Sequence, residues 1–197
     1  MTRAQLLLIL AVPVIALGFP SSAESAKDDN LFGISYYISE PTKELRDYLN
    51  QTSFTGFGLD GRYFAAPQVS IGTTLSWITF REDQSPSGDE ETVERLVRSI
   101  PIAMTCFYYW RDEFTLRPYL GGGLGAYSIK QQVSGGSVSE RQRWHFGVVP
   151  EFGFLYPFNT GRNQLVANVK YNYALSSENS IDFTYFQFGI GIMVRSR

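Results

Sequence analysis

From Leu31 onward, apolar and polar residues alternate with period two in eight segments. A helix would repeat its apolar positions every three or four residues, so each segment predicts a β-strand. Residues 31–38 turn Phe32, Ile34, Tyr36 and Ile38 to one side. Residues 54–65 set Phe57, Leu59 and Tyr63 against Gly56, Gly58, Asp60 and Arg62. Residues 69–80 set Val69, Ile71, Leu75 and Trp77 against Ser70, Gly72, Thr74 and Ser76, and residues 93–110 gather Leu96, Ile100, Ile102, Met104, Cys106, Tyr108 and Trp110 on one face. The same alternation runs through 114–129, 143–158, 163–175 and 183–194.

The connections alternate as well. Short turns are predicted at Ala66 and Pro67, at Asp112 and Glu113, and at Asn159, Thr160 and Gly161. The connections over 40–53, 81–92, 130–142 and 176–182 are longer and more polar. Short turns at one end and long loops at the other are the pattern of an outer-membrane barrel, with both termini on the periplasmic side. Residues 43–49 predict a solvated loop in preference to a partner-binding helix.

Side-chain size decides which face meets lipid. One face is bulky and apolar along all eight segments, and the other is small, polar and rich in glycine. An eight-stranded barrel is only wide enough for side chains to fill it, so the bulky face belongs outside. In hydrocarbon an open sheet edge leaves backbone groups without partners, so the eighth strand must close on the first. Trp110, Trp144 and Tyr156 fall near segment ends, where interfacial aromatic girdles sit. The fold class is therefore all-β, an eight-stranded antiparallel up-and-down transmembrane barrel. Pro118 and Pro150 fall inside segments and remove ladder donors, and a bulge or local irregularity is expected at Pro150.

The first residues fit export. Arg3 precedes an apolar run of twelve residues, 6–17, which small residues follow. This is the layout of a signal peptide over 1–23, or with cleavage at 26, leaving a barrel domain over 27–197. The run is shorter than the roughly 20 residues a spanning helix needs. Removing 1–23 takes the net charge from −2 to −3. No basic face advertises nucleic acid. Cys106 and His145 are the only cysteine and histidine, which supply no zinc site, and no other metal or cofactor is expected. Cys106 should face lipid and be inert.

Five charges fall on the small face: Asp60, Arg62, Arg117, Glu151 and Lys170. Buried charges persist when paired, and Glu151 with Arg117 on the preceding strand is the favoured pair, Glu151 with Lys170 the other. A salt-bridged plug is favoured over a polar track for an ion or solute, because eight strands leave little lumen. His145 faces inward near the long-loop end, but no serine stands in a motif beside it; Ser134, Ser137 and Ser139 read as loop serines. A structural histidine is expected, and no catalytic residue is assigned. Gly121, Gly122, Gly123 and Gly125 lack the lysine and helix of a phosphate loop. They read as a strand whose small residues admit crowded inward side chains.

Residues 117–125, Arg-Pro-Tyr-Leu-Gly-Gly-Gly-Leu-Gly, resemble the Pro-Tyr-Leu-Gly-x-Gly-x-Gly strand of the small outer-membrane β-barrel ("porin-like") family, akin to the OmpA membrane domain and OmpW. Residues 183–194 resemble that family's closing strand. The resemblance spans nearly the whole mature chain, although such chains often end on an aromatic residue and this one ends on Arg197. It implies a bacterial outer-membrane location and carries over no catalytic residues. The leading function is a non-enzymatic barrel for envelope integrity or loop-mediated surface interaction. Its expected partners are outer-membrane lipids and an extracellular ligand at the long loops, and it is expected to be a monomer. The alternatives are a narrow passive channel for small or apolar solutes, a lipid-modifying enzyme centred on His145, and a soluble periplasmic ligand-binding barrel.

Overall fold

The computed structural model describes residues 30–42, 44–84, 93–110, 116–134, 139–158, 162–175 and 182–196. Eight antiparallel strands follow one another around a closed barrel. They are β1 (Asn30–Thr42), β2 (Ser53–Ala66), β3 (Val69–Gln84), β4 (Val93–Tyr109), β5 (Arg117–Ser134), β6 (Ser139–Phe158), β7 (Asn163–Ala174) and β8 (Phe183–Ser196). β1 pairs with β8 from Asn30↔Ser196 to Thr42↔Thr184, so no edge remains. The predicted alternation holds: Phe32 and Ile34 are each 58% exposed and Met104 69%, while Asp60, Ser70, Thr74 and Ser76 are buried. A soluble protein rarely exposes a contiguous apolar belt of this kind.

The long-loop side departs from expectation. β5 and β6 continue as a paired hairpin to Val133↔Ser139, so most of the predicted loop over 130–142 is strand. β3 likewise runs on to Gln84 and β1 to Thr42. A membrane crossing needs only about 9–11 residues per strand, and β5 and β6 have 18 and 20. Their upper parts therefore stand beyond the bilayer. There both faces meet water, which removes the period-two signal without removing the ladder.

The predicted solvated loop over 43–49 is corrected in part. Glu44–Tyr48 forms a helix, α1. Leu45 and Leu49 are wholly buried against Phe80, Val97, Ile129 and Phe183 at the barrel mouth. Spacing of four residues puts both leucines on one side of the turn, and Tyr48 packs beside them.

Pro150 causes no bulge. The β6–β7 register is unchanged across it, but ladder pairs are missing between Val148↔Tyr173 and Glu151↔Lys170. The lost donor thus leaves a local interruption. Register shifts occur instead between Tyr37 and Ser39 of β1, and between Phe64 and Ala66 of β2. The β2–β3 turn lies at Pro67 and Gln68. The predicted turns at Asp112 and Glu113 and at 159–161 lie outside the described residues, as do Phe114, Ser137 and the predicted signal peptide.

Candidate functional site

The lumen is layered. Alternation turns every second residue inward, and the register sets their height. Near the periplasmic end, Leu31, Phe64, Phe107, Tyr109, Tyr119, Leu155, Val166 and Met193 form one apolar layer. Near the mouth, Ile78, Phe80, Tyr127, Ile129, Phe183 and Tyr185 form another with Leu45 of α1 and Leu49 just after it. The inward face is therefore not uniformly small. Its middle carries Gly, Ser, Thr, Asn and the charges; its ends carry large rings.

Glu151 sits between these layers. Arg62 Nη2 donates to its Oε1 at 3.2 Å, Tyr119 Oη at 2.7 Å and Asn168 Nδ2 at 2.7 Å. Lys170 Nζ lies 3.5 Å from Glu151 Oε2 and 3.4 Å from Asp60 Oδ1. Lys170 also donates to Thr74 Oγ1 at 3.3 Å, and Tyr37 donates to Asp60 Oδ2 at 3.3 Å. Two cations and two carboxylates make a neutral quartet, with side chains at most 5% exposed.

Aromatic rings complete the site. The Arg62 guanidinium lies 4.3 Å from the Phe107 ring centroid and 4.5 Å from that of Tyr119. Its Nη1 donates to Tyr109 Oη at 3.1 Å. Lys170 Nζ lies 4.9 Å from the Tyr37 ring. A desolvated cation over an aromatic face gains more than an exposed one. The phenols also supply hydrogen bonds that buried charges need. Gly153 makes room for this: a Cβ there would stand 2.6 Å from Tyr119 Oη.

The favoured partner of Glu151 needs correction. The cation across the lumen from β2, Arg62, reaches it. Strand adjacency points to Arg117, but the register places Gly121 opposite Glu151 and Arg117 opposite Leu155. Arg117 sits in the periplasmic layer, its guanidinium over Phe64 and Tyr109, and donates to the Pro67 carbonyl. The second choice, Lys170, stands beside Glu151. Parity turns Tyr119 and Tyr185 inward, but which charged groups the phenols of Tyr37, Tyr109 and Tyr119 reach depends on barrel closure and carries no signal in the sequence.

His145 is buried, with Nδ1 3.0 Å from the Leu175 carbonyl oxygen and its ring 5.8 Å from that of Phe183. Among the described residues no group of three metal-ligating side chains converges. Cys106 lies on the outward face between Met104 and Tyr108 and is half-buried.

The whole barrel fold recurs in known proteins. The N-terminal β-barrel domain of Pseudomonas aeruginosa OprF superposes with a TM-score of 0.54 at 17% identity, covering 84% of this chain and 97% of that one. OprG of the same organism gives 0.55 at 13% identity, covering 86% and 97%. Neisserial surface protein A gives 0.53 at 15% identity, covering 84% and 95%. At these identities the likeness is one of fold. No curated protein matches the sequence. The model of the family described as "Outer membrane protein beta-barrel domain" matches residues 9–193. A closed barrel, a lipid-facing apolar belt and that match place this chain in the outer membrane protein beta-barrel family, a bacterial outer-membrane protein.

Proposed function

We propose that this protein is a plugged, non-conducting and non-enzymatic barrel that supports the envelope and presents its extracellular strands and loops. One observation carries the reading: the Asp60–Arg62–Glu151–Lys170 quartet spans the lumen between two apolar layers. A solute would have to separate buried ion pairs, and breaking such a pair costs about 3–5 kcal/mol. It would then have to part a layer of packed rings at either end. The hydrogen bond from His145 to a backbone carbonyl supports a structural role for that residue. Single-channel recording of the refolded protein in planar bilayers tests the proposal. Seals without stable steps are expected; reproducible open-channel currents from pure, heat-modifiable protein would overturn it.

A further inference from the structure

The outward face of β3–β6 changes character just above the lipid belt. Thr79, Arg98, Lys130 and Gln142 are consecutive cross-strand partners and form one row. Arg98 shares the outward parity of Ile102 and Met104, and Lys130 that of Leu120 and Leu124. Arg81, one step above Thr79 on the same face, is exposed. The row beneath holds Ile100, Ser128 and Trp144. Trp77 lies two residues below Thr79 on β3, and Trp77 and Trp144 are 39% and 60% exposed.

Tryptophans on a barrel exterior mark the interface between hydrocarbon and headgroups. Two residues along a strand span about 7 Å, so the cations stand at headgroup height. Arg98 and Lys130 oppose each other directly, an arrangement that like charges disfavour unless an anion lies between them. The Arg98 guanidinium lies 5.5 Å from the Trp77 ring, and its Nε is buried with no hydrogen-bond partner in the protein. Arg81 and Lys130 also interact within the protein, and a headgroup would add to those contacts. The chain as a whole is acidic, so this is a local feature and not a reflection of composition.

We infer that Arg98 and Lys130, with Arg81 above them, form a binding site for the phosphate group of an outer-leaflet lipid, whose acyl chains lie along the apolar belt below Trp77 and Trp144. The guanidinium and ammonium supply charge-assisted donors, and the tryptophans fix their depth.

Delipidated protein in zwitterionic detergent can be titrated with lipid A carrying both phosphates and with its dephosphorylated form. Each cation near an anionic surface is worth roughly fivefold in affinity, so R98Q/K130Q should weaken binding of the phosphorylated lipid about twenty-five-fold. The dephosphorylated lipid should bind wild type and variant alike. R162Q, which removes an exposed cation at the periplasmic end, should change nothing. Inorganic phosphate alone at millimolar levels should not compete. K130Q, a single change on the barrel surface, gives the same comparison at about fivefold if the double variant lacks heat-modifiable mobility. Unchanged affinity in folded K130Q or R98Q/K130Q, an equal loss in R162Q, or displacement by free phosphate would overturn the assignment.

Discussion

Arg62 and Glu151 stand 89 positions apart in the chain and meet at 3.2 Å in the barrel interior. The pair links β2 to β6, strands that share no ladder, so barrel closure itself is what brings it together. Removing one partner leaves a buried charge uncompensated. Glu151→Gln should therefore destabilise the barrel by about 3–5 kcal/mol, read as a lower urea midpoint for loss of heat-modifiable mobility. Replacing both, R62M/E151L, removes the stranded charge and should cost less than the two single changes summed. A midpoint unmoved in Glu151→Gln would mean that the quartet contributes little to holding the barrel.

The cap at the mouth makes a second expectation. Leu45 of α1 and Leu49 just after it are wholly buried, whereas Arg46 and Asp47 between them are exposed. In a Cys106→Ser background, cysteines at 45 and 49 should react with a bulky charged maleimide at least about tenfold more slowly than one at 47, since reaction requires local opening of a packed element. Equal rates at 45, 47 and 49 would show that α1 does not stay seated in the mouth.

These two features differ in how far the sequence discloses them. Strand number, order and facing follow from period-two alternation, because lipid outside and packed side chains inside impose opposite demands on neighbouring residues. Which inward charges meet does not follow. Arg117 is on the strand next to Glu151 but four positions off in register, while Arg62 is distant in sequence and close across the lumen. That geometry depends on stagger and closure, which no local window contains. Above the bilayer the alternation fades, so Lys130 to Val133 read as loop although the ladder persists. The spacing of Leu45 and Leu49 was legible, but only the open mouth of the barrel gives those leucines something to bury against.

Cys106 provides a check on orientation. It lies among Met104 and Tyr108 on the lipid-facing side of β4 and has no sulfur partner. Reactive thiols need an accessible, charge-stabilised thiolate, and a lipid-facing one has neither. In vesicles a charged maleimide should leave Cys106 unmodified, and full labelling should appear after unfolding in urea and detergent. Rapid labelling of the folded protein in vesicles would place β4 in water.

Two glycines separate packing inside the barrel from packing outside it. Gly189 of β8 abuts the lumen: a Cβ there would stand 2.1 Å from Asn168 Oδ1 and 2.4 Å from the Tyr37 ring. Asn168 holds Glu151 and Tyr37 holds Asp60, so neither can shift without disturbing the quartet. Gly61 of β2 faces outward, and its nearest neighbours would lie at 3.6 Å or more from an added Cβ, in ordinary contact with the Phe32 ring. Overpacking a filled interior costs about 1–3 kcal/mol, whereas surface changes stay within about 0.5 kcal/mol. Gly189→Ala should lower the urea midpoint and Gly61→Ala should leave it nearly unchanged. The reverse order would show that the lumen has free space beside Tyr37, and a lumen with free space there would also weaken the argument for a plugged barrel.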